Sequence, residues 1–162
     1  MKTLVTIIFL AMFSWSAPVA AKFCNVNEAE NKTLCRYKAT RLPDNAQIFI
    51  TYTDQGFSMM IVIFLEEFAM VEGDARMKTK KGEMQTLEYV TTHHDMTPEG
   101  LMMEAGVYKV TESMLRELGN ARGKVRFWLP ANDTKDQQLK IAASKFSELE
   151  EYIEETKSTL GL

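Results

Sequence analysis

The 162-residue chain holds only two cysteines and two histidines, and no serine in a G-x-S-x-G setting. Two cysteines exclude a multiply bridged scaffold, and the separation of Cys24 from Cys35 is not the C-x-x-C spacing of redox or zinc pairs. The histidines are neighbours, His93 and His94, so the H-E-x-x-H helix of a zinc hydrolase is excluded as well. A nucleophile elbow and a glycine loop able to cradle phosphate are both missing. With so few side chains titrating near neutrality, acid–base catalysis has little to draw on, and the reading is against an enzyme. Cationic excess is lacking too. Lysine and arginine number 19 against 22 aspartates and glutamates, a formal charge of −3, which argues against non-specific binding to nucleic acid. After the N-terminus no apolar run approaches the ~20 residues of a membrane helix. The segment FSMMIVIF (57–64) stops far short of it.

What is present begins with an address. Lys2 is followed by the apolar run Leu4–Phe13, then by small residues from Ser14 to Ala21 with the helix breaker Pro18. This layout is that of a secretory signal, too short to span a bilayer, with Val19-Ala20-Ala21 as the cleavage site before Lys22. The expectation is a removed leader (1–21) and one β-rich domain (22–162), exported to the periplasm or exterior of a bacterium. Loss of Lys2 makes the mature charge one unit more negative. In an oxidising compartment Cys24 and Cys35 pair by default. Closing a loop of this size stabilises a fold by roughly 3 kcal/mol on the chain-entropy account.

Hydrophobic period 2 dominates the mature part. AQIFITYT (46–53) and Phe57–Leu65 read as neighbouring strands joined at TDQG. The second is apolar on both faces, as a central strand covered on each side would be. An earlier strand covers Leu34–Thr40. KTKKGEMQTLEYVTT (78–92) reads as a hairpin with Lys80-Lys81-Gly82 at its tip, whose lysines discourage edge-to-edge pairing. Its second arm puts Leu87, Tyr89 and Thr91 on one face. Leu101–Val110 gives one or two short strands broken at Gly106. Thr111 caps a short helix over 112–118 that stops at Gly119-Asn120. In GKVRFWLP (123–130), Val125, Phe127 and Leu129 face one way and Lys124, Arg126 and Trp128 the other. Leu139–Ala143 is the last strand. Ser147 with Glu150 forms a capping box for a helix near 147–159 that buries Leu149, Tyr152, Ile153, Thr156 and Leu160. The sum is a mainly β protein, an antiparallel β-sandwich or barrel-like domain with two late helices.

Two clusters carry chemistry. In VTTHHDMTPEGLMM (90–103), His93, His94, Met96, Met102 and Met103 supply imidazole and thioether groups, the ligands that suit copper, which an exported protein meets. A solvated strand end is the plainer reading, and the many other methionines fill core gaps. If the strand continues past Thr92, His93 and His94 face opposite ways and cannot share an ion. Arg122, Lys124 and Arg126 beside Trp128 form the second cluster. Guanidinium groups next to an aromatic hold an anionic ligand or partner; the plainer reading is a solvated strand face.

The segment YKVTESMLRELGNARGKVRFWLPANDTKDQQLKIAASKFSELEEYIEE resembles the end of the invasion-associated locus B family of exported bacterial proteins. Met114, Leu115 and Leu118 match its leucine-rich short helix, Val125–Leu129 its strand, and Phe146 the phenylalanine opening its last helix. The Cys24–Cys35 segment is similar in placement. That family has a further cysteine pair before the short helix, where this chain has Glu104 and Gly106. The resemblance implies a β-sandwich with appended helices in the cell envelope and carries over no catalytic residues. The leading expectation is therefore a noncatalytic envelope protein without a cofactor, binding a protein or envelope ligand. A copper-binding periplasmic protein is the first alternative, and a hydrolase with an unrecognised centre the second.

Overall fold

The computed structural model describes residues 21–27, 29, 32–39, 45–67, 69–132 and 135–162. Except for Ala21, the expected leader lies outside the described residues. Among the described residues nine strands form one antiparallel sheet: β1 (Cys24–Asn27), β2 (Lys32–Lys38), β3 (Ala46–Thr53), β4 (Gly56–Leu65), β5 (Ala75–Lys78), β6 (Gln85–Met96), β7 (Met102–Lys109), β8 (Lys124–Leu129) and β9 (Gln137–Ala142). Their spatial order is β1-β2-β3-β4-β7-β6-β5-β8-β9. Helix α1 (Glu112–Gly119) follows β7, and α2 (Leu149–Leu160) ends the chain.

The mainly β, antiparallel reading holds, with one open sheet in place of two facing sheets or a closed barrel. Alternating residues explain how one sheet makes a core. Ile48 and Ile50 of β3, Met59, Ile61 and Ile63 of β4, Leu87 of β6, Tyr108 of β7 and Phe127 of β8 are all buried. They share one continuous cluster with Leu115 and Leu118 of α1 and Leu149, Tyr152 and Ile153 of α2. Strands from both halves of the sheet reach the C-terminal segment: Phe57 of β4 stacks edge-on to Tyr152 of α2, and Phe127 of β8 packs on Phe146 in the 3-10 turn just before it. The sheet thus curls around α1 and α2, which occupy the place of a second layer. At roughly 1.5–3 kcal/mol for each fully buried large apolar side chain, this cluster is the main stabilising term.

Several local expectations are corrected. The strand does not break at Gly106; β7 runs through it, and the Tyr108 ring folds over the glycine, so that a Cβ there would lie 2.4 Å from the phenolic oxygen. β4 is central, and of its outer residues Val62 is buried while Met60 and Phe64 are only half-buried, so cover is full on one side and partial on the other. A bulge between Tyr89 and Thr91 shifts the register of β6. The extra residue turns Thr91 outward and Thr92 inward, reversing the alternation expected beyond Tyr89. The lysine-bearing arm, β5, is an interior strand between β6 and β8; the sheet's edges are β1 and β9. Thr111 does cap α1, accepting from the Met114 amide at 3.2 Å. Ser147 does not cap α2, because a 3-10 turn (Ala143–Phe146) delays the helix, whose N-cap is Glu148 with no side-chain bond.

Candidate functional site

The outer face of β5, β8 and β9 gathers cations. β5 buries Ala75 and Met77 and exposes Arg76 and Lys78; β8 buries Val125, Phe127 and Leu129 and exposes Lys124 and Arg126; β9 buries Leu139 and Ile141 and exposes Lys140. Register then places Lys78 opposite Arg126, and Arg126 opposite Lys140. With strands about 4.8 Å apart, three cations stand in one row across three neighbouring strands. The next row is Arg76, Trp128 and Gln138, with Trp128 half-buried. Arg76 is paired with Asp136 at 3.1 Å. Among the described residues, Lys78, Lys124, Arg126 and Lys140 have no carboxylate at salt-bridge distance. Like charges facing each other across a ladder destabilise it. In a chain that is acidic overall, such a row opposes folding unless an anion meets it.

The β5–β6 hairpin tip extends this field. Glu117 of α1 accepts the Thr79 hydroxyl at 2.8 Å and also the Gln85 side-chain amide, while the Gly82 amide donates to Thr79 Oγ1 at 2.9 Å. These bonds hold Lys80 and Lys81 beside the start of β8. There Gly123 turns the chain with φ +81°, and a Cβ would lie 3.2 Å from Lys80 Cδ. That left-handed turn is open to glycine. A cleft of about 430 Å³ lies between Lys78, Thr79, Lys80, Gly123, Lys124 and Arg126. A second of about 520 Å³, lined by Lys81, Arg122 and Glu117 among others, adjoins the helix.

Of the cluster singled out in the sequence, Lys124, Arg126 and Trp128 share the outer face of β8. Arg122 does not, since it precedes Gly123 and lines the cleft against α1. Sequence reasoning missed Arg76, Lys78 and Lys140. The alternation in ARMKTK (75–80) and QLKIA (138–142) marks them as outward-facing, but nothing local says that those strands flank β8.

The histidine–methionine segment is divided. β6 continues to Met96, so His93 and His94 lie on opposite faces. Met96 pairs with Met102 across the hairpin, and His94 lies two residues before Met96, which places His94, Met96 and Met102 on one face. His93 and Met103 occupy the other, with Asp95 opposite Met103. Both histidines are exposed.

Cys24 and Cys35 are disulfide-bonded, as facing residues of the β1–β2 hairpin. Glu104, fully buried on β7, was also missed. Its carboxylate accepts the amides of Ala69, Met70 and Val71 at 2.5, 3.0 and 2.7 Å. Those residues cross between the two halves of the sheet, where Val71 bridges Ala131 and the Glu72 amide donates to the Pro130 carbonyl. Glu104 is thus structural in its contacts, holding the segment that meets the chain just beyond the end of β8.

Compared with family models, curated proteins and solved structures, the chain matches none. Among the described residues no helix is long and apolar enough to cross a membrane.

Proposed function

We propose that this is a noncatalytic, exported bacterial envelope protein that docks on phosphate headgroups of an envelope membrane through the outer face of β5, β8 and β9. The observation that carries the reading is the unneutralised row Lys78–Arg126–Lys140. Such a row attracts a surface presenting several anions side by side, and Arg126 offers a planar fork for phosphate oxygens. Half-buried Trp128, set between Arg76 and Gln138, suits the headgroup level of a bilayer, where amphipathic rings accumulate. The leader features of residues 1–21 and the Cys24–Cys35 disulfide support export into an oxidising envelope. The resemblance to the invasion-associated locus B family points to the same compartment.

The test is co-sedimentation with vesicles containing anionic phospholipid, against neutral vesicles and a soluble polyphosphate. Each cation near an anionic surface contributes enough that Lys78→Ser/Arg126→Ser/Lys140→Ser is expected to weaken vesicle binding about a hundredfold. Equal binding of the triple variant, or binding to polyphosphate alone, overturns the membrane reading.

A second reading rests on the face shared by His94, Met96 and Met102. One imidazole and two thioethers form a soft donor set that selects Cu(I). On this reading His94→Ala abolishes Cu(I) binding while His93→Ala, on the opposite face, leaves it intact. Equal effects of the two substitutions in a metal titration exclude the site.

A further inference from the structure

The carboxylates of α2 divide into two sets. Glu150 and Glu154 pair with Arg116 of α1. Glu148, Glu151 and Glu155 all turn to Lys22. Its ammonium lies 2.9 Å from Glu148 Oε1 and 3.0 Å from Glu151 Oε2, and its backbone nitrogen donates to Glu155 Oε2 at 3.1 Å. The Phe23 and Cys24 amides donate to Glu155 Oε1 at 2.7 and 2.8 Å. Phe23 then packs on Tyr37 and Tyr152, and Cys24 is bonded to Cys35. Burial pushes the Glu155 carboxyl up, but the Phe23, Cys24 and Lys22 amides and the Lys22 charge outweigh it and hold the group below the usual carboxylate range. Ala21, next in the chain, is exposed.

Three carboxylates therefore converge on a residue that brings one positive charge while its nitrogen is an amide. Hydrolysis of the Ala21–Lys22 bond changes this. Water adds across the peptide, the carboxylate leaves on Ala21 with the leader, and the freed amine of Lys22 takes up a proton. The nitrogen already 3.1 Å from Glu155 becomes a second cation with three protons to donate. We propose that Ala21–Lys22 is the processing site and that Glu155, with Glu148 and Glu151, is the built receptor for the N-terminus that an envelope peptidase creates there. Processing then locks the β1–β2 hairpin onto α2. Charge-assisted hydrogen bonds of this kind are about twice as strong as neutral ones. A terminus one residue longer would place its charge a Cα step, about 3.8 Å, further from the carboxylate; one residue shorter would lose Lys22 altogether.

This inference rests on the export reading, and the experiment separates the two. The full chain is expressed with its leader in a bacterium, recovered from the envelope and read by intact mass and N-terminal sequencing. The expected N-terminus is Lys22. Its α-amine is expected to be acylated at neutral pH about tenfold more slowly than that of processed Glu155→Gln, the effect of one pKa unit. Because Glu155→Gln also loses bonds to Phe23 and Cys24, a second variant keeps Glu155 and carries one glycine inserted between Ala21 and Lys22. Cleaved after Ala21, it is expected to melt about 2–4 °C lower than the wild type. Recovery with Met1 attached overturns both export and capture. A processed chain starting at another residue, or equal acylation in Glu155→Gln with an unchanged midpoint in the insertion variant, overturns capture alone.

Discussion

Glu104→Ala is the substitution that most severely tests the account of how the sheet is held together. In the native protein one buried carboxylate receives three backbone amides, from Ala69, Met70 and Val71. Met70 sits at φ +51°, a left-handed conformation that a side chain tolerates only when its surroundings impose it. Ala69 and Val71 are 3% and 1% exposed, so water does not replace the lost acceptor. Each buried donor left without a partner costs about 1–3 kcal/mol, and two of them give a loss of about 2–6 kcal/mol. That is a large part of the 5–15 kcal/mol typical of a whole domain. Glu104→Gln separates acceptor loss from cavity formation. Its one carbonyl oxygen can serve Ala69 and Met70, as Oε1 does now, while its amide group faces the Val71 N–H. A loss of about 1–3 kcal/mol follows from that one donor. Urea unfolding followed by far-UV circular dichroism measures both, with an unchanged slope showing that the unfolded state is not altered. A loss under about 0.5 kcal/mol for Glu104→Ala, the range of ordinary surface changes, would refute the reasoning.

Two further outcomes follow from the core. Gly106→Ala brings a Cβ to 2.4 Å from the Tyr108 hydroxyl and 2.8 Å from its Cζ, so the ring must move. Overpacking of this kind costs about 1–3 kcal/mol, and an unchanged thermal midpoint would contradict the ring placement. Alkali is expected to unfold the protein through its tyrosines. Burial holds the phenols of Tyr37, Tyr108 and Tyr152 well above their ordinary range, with the Glu148 charge adding to the effect at Tyr37 and the Tyr89 and Asp74 charges at Tyr108. The folded state keeps these protons while unfolded tyrosines ionise near pH ~10. The stabilising contribution is therefore complete below that value and falls as pH rises through it. Urea midpoints measured from pH 8 to 11 that stay level would contradict this.

Features fixed by neighbours in the chain were legible in the sequence. The alternation of KVRFWL read correctly as buried Val125, Phe127 and Leu129 against exposed Lys124 and Arg126, because a strand's period is local. The Thr111 cap was legible for the same reason, and the Cys24–Cys35 bond because the chain has no other cysteines to pair. What escaped depends on contacts distant in sequence. Arg126 read as clustered only with Arg122, Lys124 and Trp128 of its own segment, and its meeting with Lys78 and Lys140 comes from a register joining segments far apart along the chain. Glu104 gave no signal, since a glutamate in a strand reads as surface until the loop that needs its oxygens is placed beside it. The grip of Glu148, Glu151 and Glu155 on Lys22 likewise joins the two ends of the mature part and leaves no local trace. Where β6 stops was not legible either, and the opposition of His93 and His94 follows from its running on to Met96, while the bulge beyond Tyr89 sets which of the two faces inward.

The claim that a functional surface lies on the outer face of β5, β8 and β9 is tested most directly by residue-resolved NMR. Amide shifts of the chain from Lys22 onward are followed while bicelles containing anionic phospholipid are added at physiological salt. Perturbations are expected to concentrate at Lys78, Arg126, Trp128 and Lys140 and to fade as salt rises. Perturbations confined to the β6–β7 hairpin or to α2, with that row unmoved, would contradict it.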